Sequence, residues 1–121
     1  MIQEMRLVKY LHRVPGVENI PPTSHQVLRM ATVNGASASG FGGTIGTLKS
    51  GKRADIIPVN LRHMQEPYLD PDISIVDSVG HLALGVDVDI VIVNGEVVMK
   101  DKRFTRIDRN DIVKEMQKTL D

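Results

Sequence analysis

The chain has 121 residues, of which 41% are hydrophobic and 25% charged, and its formal net charge is zero. This length and composition are typical of a single globular domain with one modest core. The balanced charge gives no indication of nucleic-acid or anionic-membrane binding, and the lack of cysteine excludes disulfides, thiolate metal sites and cysteine nucleophiles.

No apolar run approaches the roughly 20 residues of a membrane span, and MIQEMRLVKY contains no apolar signal-peptide segment. Aromatic residues make up only 3% of the chain, which leaves little surface for stacking bases or sugars. We therefore expect a cytoplasmic protein that binds neither nucleic acid nor a membrane.

The segment MIQEMRLVKYLHR predicts an amphipathic helix, because its apolar residues recur at spacings of three and four. These residues are Met5, Leu7, Val8 and Leu11. Pro15-Gly16 cannot continue the helix, which should end near Val14 and be followed by the loop PGVENIPP.

A second helix is predicted in TSHQVLRMATVNGASASG. Thr23 or Ser24 would be its N-cap, with Gln26 close to the capping-box position. Asn34-Gly35 would end or break this helix. The small residues that follow, Ala36 to Ser39, indicate one further tight turn of helix.

From Ile45 onward the pattern predicts strands. The stretches IGTLK, ADIIPVNL, VDIVIVNG and EVVMKDKRF are short, rich in valine and isoleucine, and separated by turn residues. Asn94-Gly95 between the last two predicts a type I′ hairpin turn. Pro58 lacks the N–H that a ladder needs, so the second stretch should be irregular at that point.

An inserted helix is predicted over about residues 70–84, in LDPDISIVDSVGHLALG. Asp70 would be its N-cap, Pro71 its first helical residue and Gly85 its stop. Its buried stripe would consist of Ile73, Val76 and Val79.

A final helix is predicted over about residues 109–120, with an apolar side made of Ile112, Val113, Met116 and Leu120. The chain therefore divides into a helical segment, 1–40, and a small β-rich domain, 41–121. The boundary between these two units is predicted at Phe41 to Gly43.

The stretch GTLKSGKR has the spacing of a phosphate-binding P-loop, with Gly46 followed after four residues by Gly51-Lys52. A working P-loop runs directly into a helix, whereas ADII after Arg53 predicts a strand. Arg53 also stands where the serine or threonine that binds magnesium should be. A hairpin turn through Ser50-Gly51, with Lys52 and Arg53 in solvent, is favoured over a nucleotide site.

No other residues form a catalytic or metal-binding pattern. The histidines, His12, His25, His63 and His81, show no HxH, HxxxH or HExxH spacing, and His81 is expected to be packed or hydrogen-bonded on its helix. Four aspartates lie at the ends of predicted elements, where acidic residues cap and solvate: Asp70, Asp72, Asp87 and Asp89. GASASG matches the GxSxG nucleophile elbow only loosely. We assign no catalytic, cofactor-binding or metal-binding residue.

Several segments together resemble the C-terminal region of the metal-dependent amidohydrolases, in the branch of cytosine, adenosine-derivative and triazine deaminases and chlorohydrolases. Residues Leu28 to Ala36 match the family pattern L-x-x-A-T-x-N-G-A, and Gly46 to Asp55 match G-x-L-x-x-G-K-x-A-D. Val88 to Phe104 is similar to the family's closing hairpin, DPDISIVDSVGHLALGVDV to the helix before it, and MIQEMRLVKYLHR to the helix after the last barrel strand.

The resemblance implies an α+β fold: the terminal helices of an incomplete (β/α)₈ barrel, the C-terminal part of the family's composite β-sandwich domain, and a final helix. A complete barrel takes about 200 residues or more, so this chain cannot contain one. The family's divalent metal, such as zinc or iron, is held by an HxH, two later histidines and an aspartate, and no position of this chain matches them. Pro58 and Asn60 depart from the aliphatic residue and the aspartate that are usual there.

Two functions remain open. In the first, the chain is the C-terminal part of a hydrolase that breaks C–N or C–Cl bonds of heterocycles with a metal-activated water; alone it is inactive, and its partner is the missing N-terminal part. In the second, it is a non-catalytic module that forms homodimers or higher oligomers, since its strands and helices lack the elements that would cover them.

Overall fold

The computed structural model describes residues 1–12, 21–65 and 72–119, except for the side chains of His63 and Gln65. The described part has an α+β architecture, with helices at both ends and a small three-stranded sheet before the last helix. The predictions made for Val14, Pro15-Gly16, the loop up to Ile20, Asp70, Pro71 and Leu120 lie outside the described residues.

Helix α1 spans Ile2–Leu11, as predicted, but its buried side differs from the predicted stripe. Met5 and Lys9, one helical turn apart, are buried, whereas Leu7 and Leu11 are exposed. Helix α1 packs against α2 and α4, and the Lys9 ammonium contacts the Ser24 hydroxyl of α2. The predicted stripe is therefore correct for Met5 and in part for the half-buried Val8, but it includes two exposed leucines and omits the buried Lys9.

Helix α2 (Ser24–Arg29) begins with the predicted capping box. The Thr23 hydroxyl accepts a hydrogen bond from the Gln26 backbone N–H, and the Gln26 side chain accepts one from the Thr23 N–H. These two bonds satisfy donors that an α-helix leaves free at its first turn.

The prediction that the helix ends or breaks at Asn34-Gly35 is wrong. The helix continues as a π-helical segment, Met30–Asn34, and then as α3, Gly35–Ala38. Gly35 permits this, because a Cβ there would lie 3.1 Å from the carbonyl oxygen of Met30. The Thr32 hydroxyl also donates to the Leu28 carbonyl oxygen at 2.7 Å, an interaction that distorts helices. The helix therefore continues through Asn34-Gly35, with a wider π-helical segment up to Asn34.

Two of the predicted strands, IGTLK and ADIIPVNL, do not form regular strands. IGTLK consists of bends and irregular backbone: Ile45 donates to the Phe41 carbonyl, and Gly46 has a φ of +90°. ADIIPVNL forms only two isolated antiparallel bridges, Ile56 with Ile92 and Val59 with Val88. Pro58 lies between these bridges and has no N–H to donate, which explains why no ladder joins them.

The sheet has the order β1-β2-β3 and is antiparallel. Strands β1 (Ile90–Val93) and β2 (Glu96–Lys100) are joined by Asn94-Gly95, whose φ values of 52° and 81° match the predicted type I′ turn. Val98 is an extra residue on β2, because Ile92 pairs with Val97 and Val91 with Met99. Strand β3 is short, Arg103–Phe104.

Helix α4 spans Ile75–Leu82, with Ser74 as its N-cap, and it ends before the predicted stop at Gly85. Val76 and Val79 are half-buried, but Ile73 lies before the helix and is exposed, so the predicted stripe is only partly correct. Short 3₁₀ turns, Arg62–Gln65 and Gly85–Asp87, lie on either side of α4. Helix α4 packs on α1 and α2, and this three-helix junction contains much of the small core.

Helix α5 spans Arg109–Lys118, as predicted, with the Asp108 side chain accepting from the Asn110 N–H. Its apolar residues Ile112, Val113 and Met116 are exposed. Within the described ranges, no helix is long and apolar enough to cross a membrane.

Candidate functional site

The stretch that resembles a P-loop forms a tight turn. The Lys52 N–H donates to the Lys49 carbonyl at 3.1 Å, and Gly51 has a φ of +82°. This confirms the turn through Ser50-Gly51, although the residues on either side form no ladder and the turn is therefore not a hairpin. No helix begins directly after Lys52, so the backbone amides there do not converge on a phosphate site.

Lys52 is half-buried, which contradicts the prediction that it lies in solvent. Its ammonium group donates to the Gly42 carbonyl oxygen at 2.7 Å. Arg53 is exposed, as predicted, and its backbone N–H donates to the Thr44 carbonyl at 2.9 Å. These bonds fold residues 42–53 into a compact loop in which the lysine stabilises the backbone.

Gly46, the first glycine of the same stretch, lies directly against the π-helical segment. A Cβ at this position would be 2.9 Å from the Ala36 Cβ and 3.2 Å from the Thr32 carbonyl oxygen. Its φ of +90° also favours glycine. The two sequence patterns, Leu28 to Ala36 and Gly46 to Asp55, thus contact each other at a point where only glycine fits.

Asp55, the last residue of the second pattern, joins the loop to the sheet. Its carboxylate accepts the Asn94 backbone N–H at 2.6 Å, and the neighbouring Ala54 carbonyl accepts the Gly95 N–H at 2.9 Å. Both donors belong to the type I′ turn, so the loop fixes the position of the hairpin.

The histidines are scattered in the described residues. His12 is exposed, and its Nδ1 lies 2.8 Å from the Val8 carbonyl oxygen. His25 is exposed as well, whereas the side chain of His63 is outside the described part. His81 is half-buried and hydrogen-bonded, as predicted. Within residues 1–12, 21–65 and 72–119, no three histidine, aspartate or glutamate side chains could hold a metal ion.

The described aspartates have structural partners rather than a shared site. Asp87 is buried and accepts the Leu84 N–H at 2.7 Å. Asp89 accepts from the Asn60 amide at 3.2 Å and lies 3.5 Å from the Lys102 ammonium. Asp72 is exposed. GASASG lies in α3 and the turn after it, which is not the strand-to-helix turn of a nucleophile elbow.

A partly buried polar cluster joins α1, α2 and α4. We call it the Lys9 cluster; it consists of Lys9, Ser24, Asp77 and His81. The Lys9 ammonium lies 2.5 Å from the Ser24 hydroxyl oxygen, 3.1 Å from His81 Nε2 and 4.0 Å from an Asp77 carboxylate oxygen. Lys9 is 7% exposed and Ser24 only 2%, so no substrate can reach the hydroxyl.

Hydrogen bonds connect the members of the Lys9 cluster and lower the pKa of Asp77. The Ser24 hydroxyl accepts from Lys9 and hydrogen-bonds the Asp77 carboxylate, and this bond lowers the pKa of Asp77 more than the nearby charges of Lys9, His25 and His81 do. Burial opposes this lowering of the pKa. His81 Nδ1 lies 2.8 Å from the Asp77 carbonyl oxygen, and the Lys9 ammonium lies 3.4 Å from Nδ1 and 3.1 Å from Nε2, so it is nearly equidistant from the two ring nitrogens.

Of this cluster, sequence reasoning found only His81. The available signal was the position of Lys9, four residues after Met5 on the same helix face.

Residues 1–114 match the family model described as the amidohydrolase family. The chain belongs to the amidohydrolase family. This match extends over most of the chain, including both sequence patterns and the hairpin that Asp55 contacts.

Curated relatives of this amidohydrolase chain include deaminases and a triazine hydrolase. It is 38% identical over 118 residues to a 5-methylthioadenosine/S-adenosylhomocysteine deaminase of Pelotomaculum thermopropionicum, covering 98% of the chain and 26% of the relative. It is 36% identical over 102 residues to the S-triazine hydrolase of Gordonia rubripertincta, covering 84% of the chain and 21% of the relative. The chain thus spans about a quarter of the length of these relatives.

Solved structures agree on the fold. An adenosine deaminase from Xanthomonas campestris with bound zinc superimposes with a TM-score of 0.84 at 24% identity, covering 98% of this chain and 26% of that one. A zinc complex of atrazine chlorohydrolase from Arthrobacter aurescens gives a TM-score of 0.80 at 26% identity, covering 100% and 26% respectively.

The family's zinc does not fit the described residues of this chain. A zinc site needs three or four nitrogen, sulfur or oxygen ligands that converge on one point. The described histidines and carboxylates offer no such group. No catalytic step through a metal can therefore be derived from these residues.

Proposed function

We propose that this chain is the C-terminal part of an amidohydrolase that hydrolyses a C–N bond, or a C–Cl bond, of a heterocycle. Its role in that enzyme is structural: residues 1–40 would complete the outer helices of the barrel, and residues 41–121 would form part of the composite domain. The metal and the attacking water would belong to the rest of the enzyme.

The observation that carries this proposal is the amidohydrolase family match over residues 1–114. Within the described residues, this matched region contains no group of side chains that could hold a metal ion. The ordered contacts support it as well. Lys52, Gly46 and Asp55 each make backbone contacts or bonds that stabilise the loop and the hairpin.

An adenosine derivative is the substrate class that we propose for the whole enzyme. Several relatives at 30–38% identity carry the name 5-methylthioadenosine/S-adenosylhomocysteine deaminase, and another at 35% is a 5'-deoxyadenosine deaminase. The triazine hydrolase at 36% covers less of the chain. Loss of an amino group from a purine ring is hydrolysis of a C–N bond, which agrees with the proposed reaction.

The purified chain with added Zn²⁺ tests the structural role. We expect less than one equivalent of bound zinc after gel filtration, and no ammonia release from 5'-deoxyadenosine or S-adenosylhomocysteine. The Pelotomaculum relative, assayed in parallel, is the positive control. Stoichiometric zinc together with turnover above the buffer rate would overturn the assignment of a non-catalytic role.

A second candidate, self-association as a homodimer or higher oligomer, is favoured by the exposed apolar side of α5. Ile112, Val113 and Met116 are 47%, 42% and 62% exposed, and they lie on one face of the helix. We expect Met116→Glu to reduce the mass measured by light scattering, while Lys114→Glu on the polar side leaves it unchanged. A monomeric parent chain would contradict this candidate.

A further inference from the structure

We infer that Asn94 is a site of spontaneous modification, at which the side-chain amide is lost by deamidation through the Gly95 backbone nitrogen. Two hydrogen bonds from Ala54 and Asp55 to this turn control the rate.

The tripeptide Val-Asn-Gly occurs twice in the chain, at residues 33–35 and 93–95. In the first copy, Asn34 lies in the continuous helix, where the Gly35 N–H donates to the Met30 carbonyl. In the second copy, Asn94 lies in the exposed turn between β1 and β2. The fold therefore places the same three residues in two settings, and the helical copy is an internal comparison for the copy in the turn.

Deamidation joins the Gly95 backbone nitrogen to Asn94 Cγ. The nitrogen attacks the amide carbon, the C–N bond of the side-chain amide breaks, and the amide nitrogen leaves as ammonia with the hydrogen of the Gly95 nitrogen. Water then opens the succinimide ring at either of its carbonyls, which gives aspartate or isoaspartate. Asparagine is a thermolabile residue because its amide can be lost in this way. Water is the only co-reactant.

The turn leaves the reacting groups accessible. Asn94 is exposed, and its side chain makes no hydrogen bond to a described residue. A Cβ built on Gly95 would meet no atom within 4 Å, and glycine itself has no side chain to shield its nitrogen. Solvent therefore reaches both the amide that leaves and the nitrogen that attacks.

Two hydrogen bonds slow the reaction while the turn is closed. The Asp55 carboxylate accepts the Asn94 N–H at 2.6 Å, and the Ala54 carbonyl accepts the Gly95 N–H at 2.9 Å. Attack on Cγ requires the Gly95 nitrogen to give up the hydrogen that it donates to Ala54. The reaction therefore proceeds from a locally opened turn, which costs less free energy than opening the helix around Asn34.

Each product would change the hairpin. Isoaspartate lengthens the backbone by one atom between Val93 and Glu96, which a two-residue turn now pairs. Aspartate adds a negative charge to the residue whose N–H the Asp55 carboxylate binds. Both products should therefore weaken the contact between the loop and the hairpin.

Peptide mapping of the folded parent chain tests the site. The chain is incubated in mildly alkaline buffer below its melting transition, and aspartate and isoaspartate are measured by mass spectrometry in the peptides that contain Asn34 and Asn94. We expect product at Asn94 to form about tenfold faster than at Asn34, since the turn opens more readily than the helix. Equal rates at the two sites in the folded chain would overturn the inference.

A variant tests the control by the loop. Asp55→Ala removes the acceptor of the Asn94 N–H and should speed product formation at Asn94 about fivefold, with no change at Asn34. Glu115→Ala, on the exposed α5, is the matched control and should keep the parent rate at both sites. An unchanged rate at Asn94 in Asp55→Ala would show that the loop does not control the reaction.

The unmodified chain in concentrated urea gives a further test that requires no folded variant. With the fold removed, the two Val-Asn-Gly copies should react at similar rates, because their local sequences match. If Asn34 stayed about tenfold slower in urea, local opening of the fold would not explain the difference, and the inference would fail.

Discussion

At the scale of single residues, the glycines of GTLKSGKR separate two effects that the sequence pattern combines. Gly46 and Gly51 both have a positive φ, of +90° and +82°. Gly46 also touches the π-helical segment, whereas a Cβ at Gly51 would meet no atom within 4 Å. The pattern therefore contains one glycine required by packing and backbone, and one required by the backbone alone.

This difference predicts unequal effects of alanine. Gly51→Ala should lower the free energy of unfolding by about 1 kcal/mol, the cost of left-handed backbone for an L-residue. Gly46→Ala should lower it by about 3 kcal/mol, since the new methyl group also overlaps Ala36 and the Thr32 carbonyl. Urea denaturation measures both values. Equal losses would show that Gly46 has no packing role.

The carboxylate of Asp77 predicts a loss of stability in acid. Its pKa is lowered from the ordinary 3.8, first by the Ser24 hydrogen bond and then by Lys9 and the two histidines. A carboxylate with a lowered folded-state pKa contributes stability above its unfolded pKa, and this contribution is lost as the pH falls through the folded value. The loss should therefore appear below about pH 3.8.

Asp77→Asn should reduce this acid loss, because it removes the group that takes up the proton. Unfolding free energies at pH 6 and pH 3, measured for the parent chain and the variant, give the comparison. Asp111→Asn, on the exposed α5, is the control and should behave as the parent chain does. If Asp77→Asn and the parent chain lost the same stability, the Asp77 contacts would not contribute to folding.

At the scale of elements, the loop and the hairpin depend on each other through Asp55. Removing its carboxylate leaves the Asn94 N–H without an acceptor from the loop. We expect Asp55→Ala to cost about 1 kcal/mol, which corresponds to a roughly fivefold loss of amide protection in β1 and β2. Glu115→Ala on α5 should leave those amides unchanged. Unaltered protection in Asp55→Ala would show that the hairpin is stable without the loop.

The elements that the sequence predicted correctly are those set by local chemistry. The Thr23–Gln26 capping box, the Asn94-Gly95 turn and the start of α5 depend on residues within a few positions of one another. The amidohydrolase resemblance was also confirmed, because its patterns cover much of the chain.

The features that the sequence did not predict depend on tertiary contacts. Lys9 is an interior residue only because Ser24 and His81 reach it from other helices. ADIIPVNL has strand composition, but Pro58 limits it to two bridges, Ile56 with Ile92 and Val59 with Val88, whose partners are far along the chain. Lys52 is half-buried, and not in solvent as predicted, because its ammonium group donates to the Gly42 carbonyl oxygen. None of these pairings is encoded in a local pattern.

In the whole molecule, we expect this chain to contribute structure and the rest of the enzyme to contribute the metal site. The chain provides a small core, a fixed hairpin and exposed apolar surface, but its described residues provide no metal-ligand group. If it is the structural part of a longer amidohydrolase, it should be exchangeable with the matching part of a relative, since it superimposes on zinc-containing members of the family over nearly its whole length.

A chimaera tests this claim most directly. The 118 residues of the Pelotomaculum deaminase that match this chain would be replaced by the corresponding residues of this chain, and ammonia release from S-adenosylhomocysteine would be measured with bound zinc. We expect one folded chimaera with the relative's zinc content and with turnover within about tenfold of the relative, which corresponds to a barrier change of about 1.4 kcal/mol. A folded chimaera that keeps its zinc but has lost turnover by several orders of magnitude would contradict it, because the exchanged region would then supply catalytic groups.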